Sequence, residues 1–514
     1  MSFHFNTAPD LVWPFATVGF YGASFWLMHR RRTGTALLLL VCGALALRFW
    51  IASGDLYLND WDESFHALVA KNMMHDPLRP TLFASPVLPY DYTQWWNNHI
   101  WLHKQPLFLW QMALSMTLFG VNEFALRLPG ALMGALVAVF VFRMVKLWMG
   151  DDALAYGAAL LSSLNHFSIE LANGRYATDH NDAAFVFYVT ASIWACCEYF
   201  FRPSWRWALL VGLFTGCAVL VKWLPGLLVY GGWGTAVLLN KRLRTQRRPY
   251  LQLLCSVLIC VAVFLPWQIY TWLLFPLEHA YELQLSTRHF AEVIETHGGG
   301  PWFHFQHLGM LYGAFVWVAI AIGLVASFAQ RRTDKNLSVL FFTCAAAVYA
   351  FYSLAATKMP AFTLPAFGVM VAYCGLTLWS LAKIVSPNGK TQRIVFYVLL
   401  ILFSLHWLRP WEIVSHRSPA NTERNDKLFN TRVYKQLPDS VMANYVVFNC
   451  PKFENLDLMF YRGGTAYYAT PDSTAIDGLL NRGVKIAAFK SNPDYVLPDY
   501  MHRRQVLWLD YALR

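Results

Sequence analysis

From about residue 11 to residue 409 the chain alternates long apolar runs with short polar breaks. A helix needs about 20 mostly apolar residues to cross a bilayer, and somewhat fewer when flanking side chains reach back to the interface. On that rule, spans are expected near 11–28, 35–52, 126–148, 153–171, 183–200, 207–221, 226–239, 250–270, 308–328, 337–356, 361–384 and 393–409. The pattern therefore predicts about twelve transmembrane helices. The long run 207–239 is divided because Lys222-Trp223-Leu224-Pro225 places a cation and a helix-stopping proline inside it, a combination suited to an interface. Pro106 to Gly120 is apolar but short, and counting it as a span would move Arg143 and Lys146 to the other side of the membrane. It is expected to be a short core helix or one lying along the membrane. After Leu408 the pattern changes to short alternating runs at 444–448, 484–489 and 505–509, helical patterns at 426–437 and 473–481, and turn signals such as Arg462-Gly463-Gly464. These predict a small extracytoplasmic α/β domain over 410–514, following a membrane domain over 1–409 with large external loops at 53–125 and 271–307.

Charge orients this plan. Arg30-Arg31-Arg32, Arg143 with Lys146, Arg202 with Arg206, the cluster Lys241 to Arg248, Arg331-Arg332 with Lys335, and Lys383 to Arg393 all fall in alternate loops, which makes those loops cytoplasmic. Asp62, Asp179, Lys222, Lys358 and everything after Arg409 then lie on the opposite, external side. The formal net charge of +11 is mostly this topological signal and does not point to nucleic acid. At 57% hydrophobic and 14% charged residues, with a mean hydropathy of +0.36, an ordinary soluble protein is excluded. Of nine cysteines, all but Cys450 lie within apolar runs, which argues against a disulfide framework. The first apolar run ends in His29-Arg30-Arg31-Arg32 with no small-residue cleavage site, so it is expected to be a retained span.

The chemistry-bearing residues gather in the external segments. Asp62-Glu63 opens the first large loop, and a carboxylate there suits a general base that takes a proton from an attacking hydroxyl. Lys104 in His103-Lys104-Gln105-Pro106 suits the phosphate of a lipid headgroup or, equally, an interfacial anchor among aromatic side chains, and Thr357-Lys358-Met359-Pro360 carries a further external lysine. Gly174-Arg175…Asp179 joins two spans and carries a second carboxylate. The loop 271–307 holds Glu278, His279, Glu282, Arg288, His289, Glu295 and His297 before Gly298-Gly299-Gly300-Pro301-Trp302. This glycine run is no nucleotide fingerprint, because no strand precedes it and no βαβ helix comes after it. His99 and His103 have the i, i+4 spacing of a helical metal pair, yet no compact ligand triad is evident. No metal site is assigned, no cofactor is required, and a divalent metal stays open.

Asp62-Glu63, Lys104-Gln105-Pro106-Leu107, Phe119-Gly120…Glu123-Phe124…Arg127-Leu128-Pro129, Arg175…Asp179, His297-Gly298-Gly299…Trp302 and Lys358…Leu364-Pro365 together resemble the GT-C membrane glycosyltransferases, in particular the aminoarabinose transferase and protein O-mannosyltransferase branch. The sequence departs from that pattern at Gln105, His103 and Ala183, where a proline, an acidic residue and a proline are more usual. The resemblance implies a GT-C-like polytopic α-helical protein in a bacterial inner membrane. Its activity would be inverting transfer of a sugar from a polyprenyl-phosphate donor to a lipid A, glycan or protein acceptor. It further implies Asp62, Glu63 and Asp179 as catalytic carboxylates, Lys104, Lys358 and Arg175 at the donor phosphate, and His103, Glu278, Arg288 and His297 on a substrate loop. Membrane lipids and the lipid-linked donor are the expected partners. The alternatives are a polysaccharide polymerase or ligase, which would use the same face and donors, and a lipid or solute transporter, which would place its ionisable residues nearer mid-bilayer.

Overall fold

A computed structural model describes residues 8–176, 180–331 and 333–514. Among these, eight helices are long and apolar enough to cross a membrane: Thr33–Ser53, Glu123–Met149, Asp182–Phe201, Trp205–Lys222, Arg247–Leu274, Lys335–Leu354, Pro360–Val385 and Gly389–His416. A ninth crossing is made if Phe303–Tyr312 and Val316–Ala329 count as one, but these helices meet at 100°. The straight span expected at 308–328 is therefore broken. Gly313 at φ +89° and Phe315 at φ +60° both leave the helical region there. Ala8–His29 fills the first expected span. At 153–171 the chain forms two short helices, Asp152–Leu164 and His166–Ala172, because Asn165 turns out of the helix and its side chain accepts from Ser168 N–H at 2.8 Å. At 226–239 it forms a 3₁₀ turn, Leu224–Leu227, and then Leu228–Leu239. All twelve expected positions are helical, but fewer than twelve reach the length and apolarity of an unbroken span.

The run 207–239 divides where expected: Trp205–Lys222 ends at the lysine, and Trp223 takes a positive φ of +71° before Pro225. Pro106–Phe119 is a single helix of 14 residues with proline at its first position, where the missing N–H costs no bond, and it ends at Gly120 with φ +83°. Pro360–Val385 lies at the centre of the bundle, almost wholly buried. Arg247–Leu274 and Gly389–His416 sit at its edge and turn Leu251, Leu254, Leu258, Ile394, Val398 and Leu402 outward, as lipid-facing helices must. Several of the loops assigned to the basic side meet at one end of the bundle. Asp334 N–H donates to Trp148 O at 3.0 Å, Asn240 Nδ2 to Asn336 Oδ1 at 2.8 Å, and Arg393 lies 3.7 Å from Asp151.

At the other end stands the C-terminal unit, a four-stranded parallel sheet of β1 Val446–Phe448, β2 Thr465–Ala466, β3 Ile486–Phe489 and β4 Val506–Leu509 in the order β2-β1-β3-β4. Strand β2 is not legible in the sequence because two residues display no period. Helices Thr422–Gln436, Glu454–Arg462 and Ser473–Asn481 accompany the sheet. The strand order reverses between β1 and β3, and Asn449 Nδ2 donates to Phe489 O at 2.8 Å across the carboxyl ends of these two strands. The loop after β1, Asn449 to Phe453, starts there and reaches the membrane portion.

The unit is tied down by polar bonds to the first loop. Lys427 pairs with Asp60, and Ser64 Oγ donates to Asp457 Oδ1 at 2.7 Å. Lys71 Nζ donates to Met459 O at 2.8 Å and Phe460 O at 2.6 Å, closing the end of helix Glu454–Arg462, and Lys435 pairs with Glu123 at 2.7 Å. Burial pushes the Lys71 ammonium down to about 8.

Candidate active site

Helix Asp62–Met73 begins at Trp61, whose backbone has φ +58° and ψ −113°, a strained conformation for a tryptophan. Side chains on both sides of Trp61 hold this turn. Asn59 donates from its backbone N at 2.7 Å and its Nδ2 at 2.8 Å to Glu63 Oε2, and Ser64 Oγ donates to Asn59 O at 2.9 Å. This anchoring separates the two neighbouring carboxylates. Asp62 faces a cavity of about 1280 Å³, with Lys104 Nζ 3.8 Å from its Oδ1. Glu63 faces away from that cavity and is fully buried, gripped by Arg127 through Nε at 2.7 Å and Nη2 at 2.8 Å.

Behind Glu63 runs a buried ionic network. Arg127 also donates to Asp55 O at 2.6 Å and Tyr57 O at 2.7 Å, while Arg175 donates to Asp55 Oδ2 at 2.6 Å and to Glu170 at 3.1 Å. Burial would raise the Asp55 carboxyl, but Arg175, His416 and Arg127 outweigh it and hold it far below the usual carboxylate range. Gly174 presses on this network: at φ +70°, a Cβ there would lie 2.5 Å from the Glu63 carboxyl carbon.

The cavity gathers residues from distant parts of the chain. His103 stacks on Trp95 with ring centroids 4.3 Å apart, and its Nδ1 lies 3.2 Å from Glu282 Oε2. Trp95 Nε1 donates to Glu295 Oε1 at 2.7 Å, and Gln268 Nε2 to Gln105 Oε1 at 2.8 Å. His279 is 2.9 Å from Thr271 Oγ1, and burial lowers its pKa, which favours the neutral ring. His297 lines the wall, fixed by Lys358 N–H donating to its carbonyl at 2.8 Å.

The expected residues thus fall into two groups. Asp62, Lys104, His103 and His297 share the cavity. Glu63, Arg175, Lys358, Glu278 and Arg288 are not on its wall. Arg175 is committed to Asp55 and Glu170. Lys358 Nζ is buried against the carbonyls of Tyr352 at 3.2 Å, Ser353 at 2.8 Å and Ala355 at 2.5 Å, where it closes the end of helix Lys335–Leu354. Glu278 accepts from Tyr90 Oη, and Arg288 pairs at the surface with Glu292 at 2.9 Å. Asp179 lies outside the described residues.

Two features of the site are not legible in the sequence. Lys222 lines the cavity and pairs bidentately with buried Asp182 at 2.6 and 2.8 Å. The signal for the lysine is its place before Pro225, but nothing in the sequence joins it to a carboxylate forty residues earlier. Lys452, Phe453 and Tyr468, from the loops after β1 and β2, also line the cavity. Among the described residues no three His, Cys, Asp or Glu side chains cluster as a metal site.

The fold is that of the GT-C membrane glycosyltransferases. ArnT from Cupriavidus metallidurans bound to undecaprenyl phosphate superposes with a TM-score of 0.64 at 15% identity, covering 87% of this chain and 88% of that one. The oligosaccharyltransferase AglB from Archaeoglobus fulgidus, in complex with an inhibitory peptide and a dolichol-phosphate, gives 0.52 at 13% identity over 85% and 64%. In sequence, the family described as dolichyl-phosphate-mannose-protein mannosyltransferase matches residues 103–270. An undecaprenyl phosphate-alpha-4-amino-4-deoxy-L-arabinose arabinosyl transferase of Erwinia tasmaniensis is 24% identical over 63% of this chain and 59% of its own length. A second protein of that description, from Pseudomonas fluorescens, is 28% identical over 57% and 52%. An uncharacterized protein of Aquifex aeolicus is 33% identical over 33% and 31%. The chain spans between about a third and six tenths of the length of these sequence relatives.

Proposed function

We propose that this protein is an inverting glycosyltransferase of a bacterial inner membrane, moving a sugar from a polyprenyl-phosphate donor to an acceptor on the periplasmic face. The observation that carries the reading is the Asp62–Lys104 pair, 3.8 Å apart on the wall of a large cavity whose other walls divide by chemistry. Leu224, Trp267, Phe290 and Phe351 supply an apolar wall suited to a lipid chain, while Lys104 and Lys222 supply cations suited to its phosphate. In the reaction the acceptor oxygen attacks the anomeric carbon and Asp62 takes the hydroxyl proton. The bond from that carbon to the phosphate oxygen breaks on the opposite face, and its electron pair stays on the phosphate, stabilised by the lysines. One displacement inverts the centre. Glu63 acts at a remove by fixing the turn that presents Asp62. The supporting likenesses are to proteins whose names include an undecaprenyl phosphate-linked sugar or a bound lipid phosphate.

The test is release of undecaprenyl phosphate and sugar transfer by purified protein in detergent, given an undecaprenyl-phosphate sugar and extracts of envelope lipids, glycans and peptides. Turnover that falls at least ~10²-fold in Asp62→Asn supports the reading. Absence of turnover with every lipid-linked sugar, together with lipid or solute movement in vesicles, refutes it in favour of a transporter.

A further inference from the structure

One cavity wall is a run of aromatic rings that continues beyond the cavity. From His103 it passes to Trp95 at 4.3 Å between centroids, to Trp61 at 6.2 Å, to Phe453 at 4.7 Å, to Tyr468 at 5.4 Å and to Tyr495 at 6.1 Å. The first five rings line the cavity, and Tyr495 lies past its rim on the C-terminal unit. Trp95 is buried, but from Trp61 onward the run is not sealed packing: Trp61 is 41% exposed, Tyr495 is 37% exposed, and Phe453 and Tyr468 are half-buried. It crosses from the first loop to the C-terminal unit at the Trp61–Phe453 contact, next to Asp62. The backbone fixes this crossing. Phe453 has φ +65°, and Lys452 N–H donates to Asp494 Oδ2 at 2.7 Å, which ties the loop after β1 to the segment carrying Tyr495.

Resting on the function proposed above, we infer that this strip is the acceptor subsite, and that the acceptor is an oligosaccharide engaged through two or more sugars on the face of the C-terminal unit. A pyranose offers an apolar C–H face to an aromatic ring and hydroxyls to its surroundings, so half-exposed rings in sequence suit several sugars in sequence. A lipid chain is better served by the wall of Leu224, Phe290 and Phe351 on the membrane side. A peptide bound by strand addition needs a sheet edge, and none of the four strands contributes a residue to the cavity wall. The strip also leads to the correct atom, since its middle member Trp61 immediately precedes Asp62.

The experiment uses the full chain in detergent with an undecaprenyl-phosphate sugar, and with saccharides released from envelope lipopolysaccharide by mild acid and sized to one, two and three sugars. A serine- and threonine-containing peptide is run in parallel. Acceptor KM should fall as the saccharide lengthens. Tyr468→Ala and Tyr495→Ala should each raise the KM of the trisaccharide about three- to tenfold, the scale of one aromatic contact. The donor KM should stay within about twofold, and Tyr468→Trp and Tyr495→Trp should restore the length dependence. Donor turnover with no length dependence, or with both alanine variants behaving as wild type, overturns the strip and leaves the transferase standing. Transfer to the peptide in preference to all saccharides does the same. No donor turnover at all overturns both.

Discussion

Replacing Glu63 by Gln and Asp62 by Asn should give opposite phenotypes, although the residues are adjacent and both changes are isosteric. Glu63 accepts four charge-assisted or backbone hydrogen bonds, from Arg127 Nε and Nη2 and from Asn59 N and Nδ2, at 2.7–2.8 Å. Three of these converge on Oε2 and one on Oε1. A glutamine can keep its oxygen at the Oε2 position and save three, but its NH₂ then faces the Arg127 Nε–H, donor against donor. Arg127 is itself fully buried and loses its nearest counter-charge, with Asp55 and Glu123 still acting on it. Breaking one side of such a pair costs about 3–5 kcal/mol, because the remaining charge cannot be rehydrated. Glu63→Gln should therefore lower the midpoint of thermal unfolding in detergent well outside error, and reduce activity in proportion to the folded fraction. Gly174→Ala should reproduce this from the other side, since its Cβ would collide with the same carboxylate. Asp62→Asn should leave the midpoint unchanged, as Asp62 faces the cavity with 17% of its side chain exposed, and should lose at least ~10²-fold in turnover. The measurements are differential scanning fluorimetry and donor turnover on the same preparations. A Glu63→Gln protein of wild-type stability that has lost turnover would refute this division and return Glu63 to the chemistry.

Lys222→Met should lower the unfolding midpoint, because it removes the cation paired with buried Asp182, and should also raise the donor KM of the folded protein by at least about tenfold, the lower range for a lost charged hydrogen bond; a lowered midpoint with unchanged donor KM would remove Lys222 from the phosphate site. Lys358→Met should destabilise the protein but leave donor KM alone, because its ammonium is spent on three carbonyls at the end of Lys335–Leu354; a selective rise in donor KM would bring Lys358 back to the phosphate. Asp457 is buried with its carboxyl pKa pushed well above the ordinary range by desolvation, so the folded chain holds a proton that the unfolded chain releases above about pH 4. Its contribution to stability is present below that pH and is lost as pH rises toward the folded pKa. The unfolding midpoint of Asp457→Asn should therefore gain on wild type as pH rises above about 4, and a gap that is constant or moves the other way would show that Asp457 is ionised in the fold.

The sequence by itself determined what is local. Runs of apolar residues fixed where the helices lie, because a backbone in lipid must satisfy its own hydrogen bonds and a continuous helix does so within one segment. Lys222 before Pro225 fixed the break at 222–225, and the alternating runs after Leu408 fixed three of the four strands. Short motifs fixed the neighbourhood of Asp62 and Lys104. Which member of Asp62-Glu63 meets the cavity was beyond the sequence. Consecutive helical residues point about 100° apart, and the rotation of Asp62–Met73 is set by Arg127 from one side and helix Glu454–Arg462 from the other. For the same reason Lys358 and Arg175 read as phosphate ligands from their types and positions, until the carbonyls and carboxylates that occupy them came within reach. The pairing of Lys222 with Asp182, and the line of rings from Trp95 across to Tyr495, join segments up to 400 residues apart in the chain. Such contacts depend on the packing of whole elements, and no local pattern of polarity encodes them.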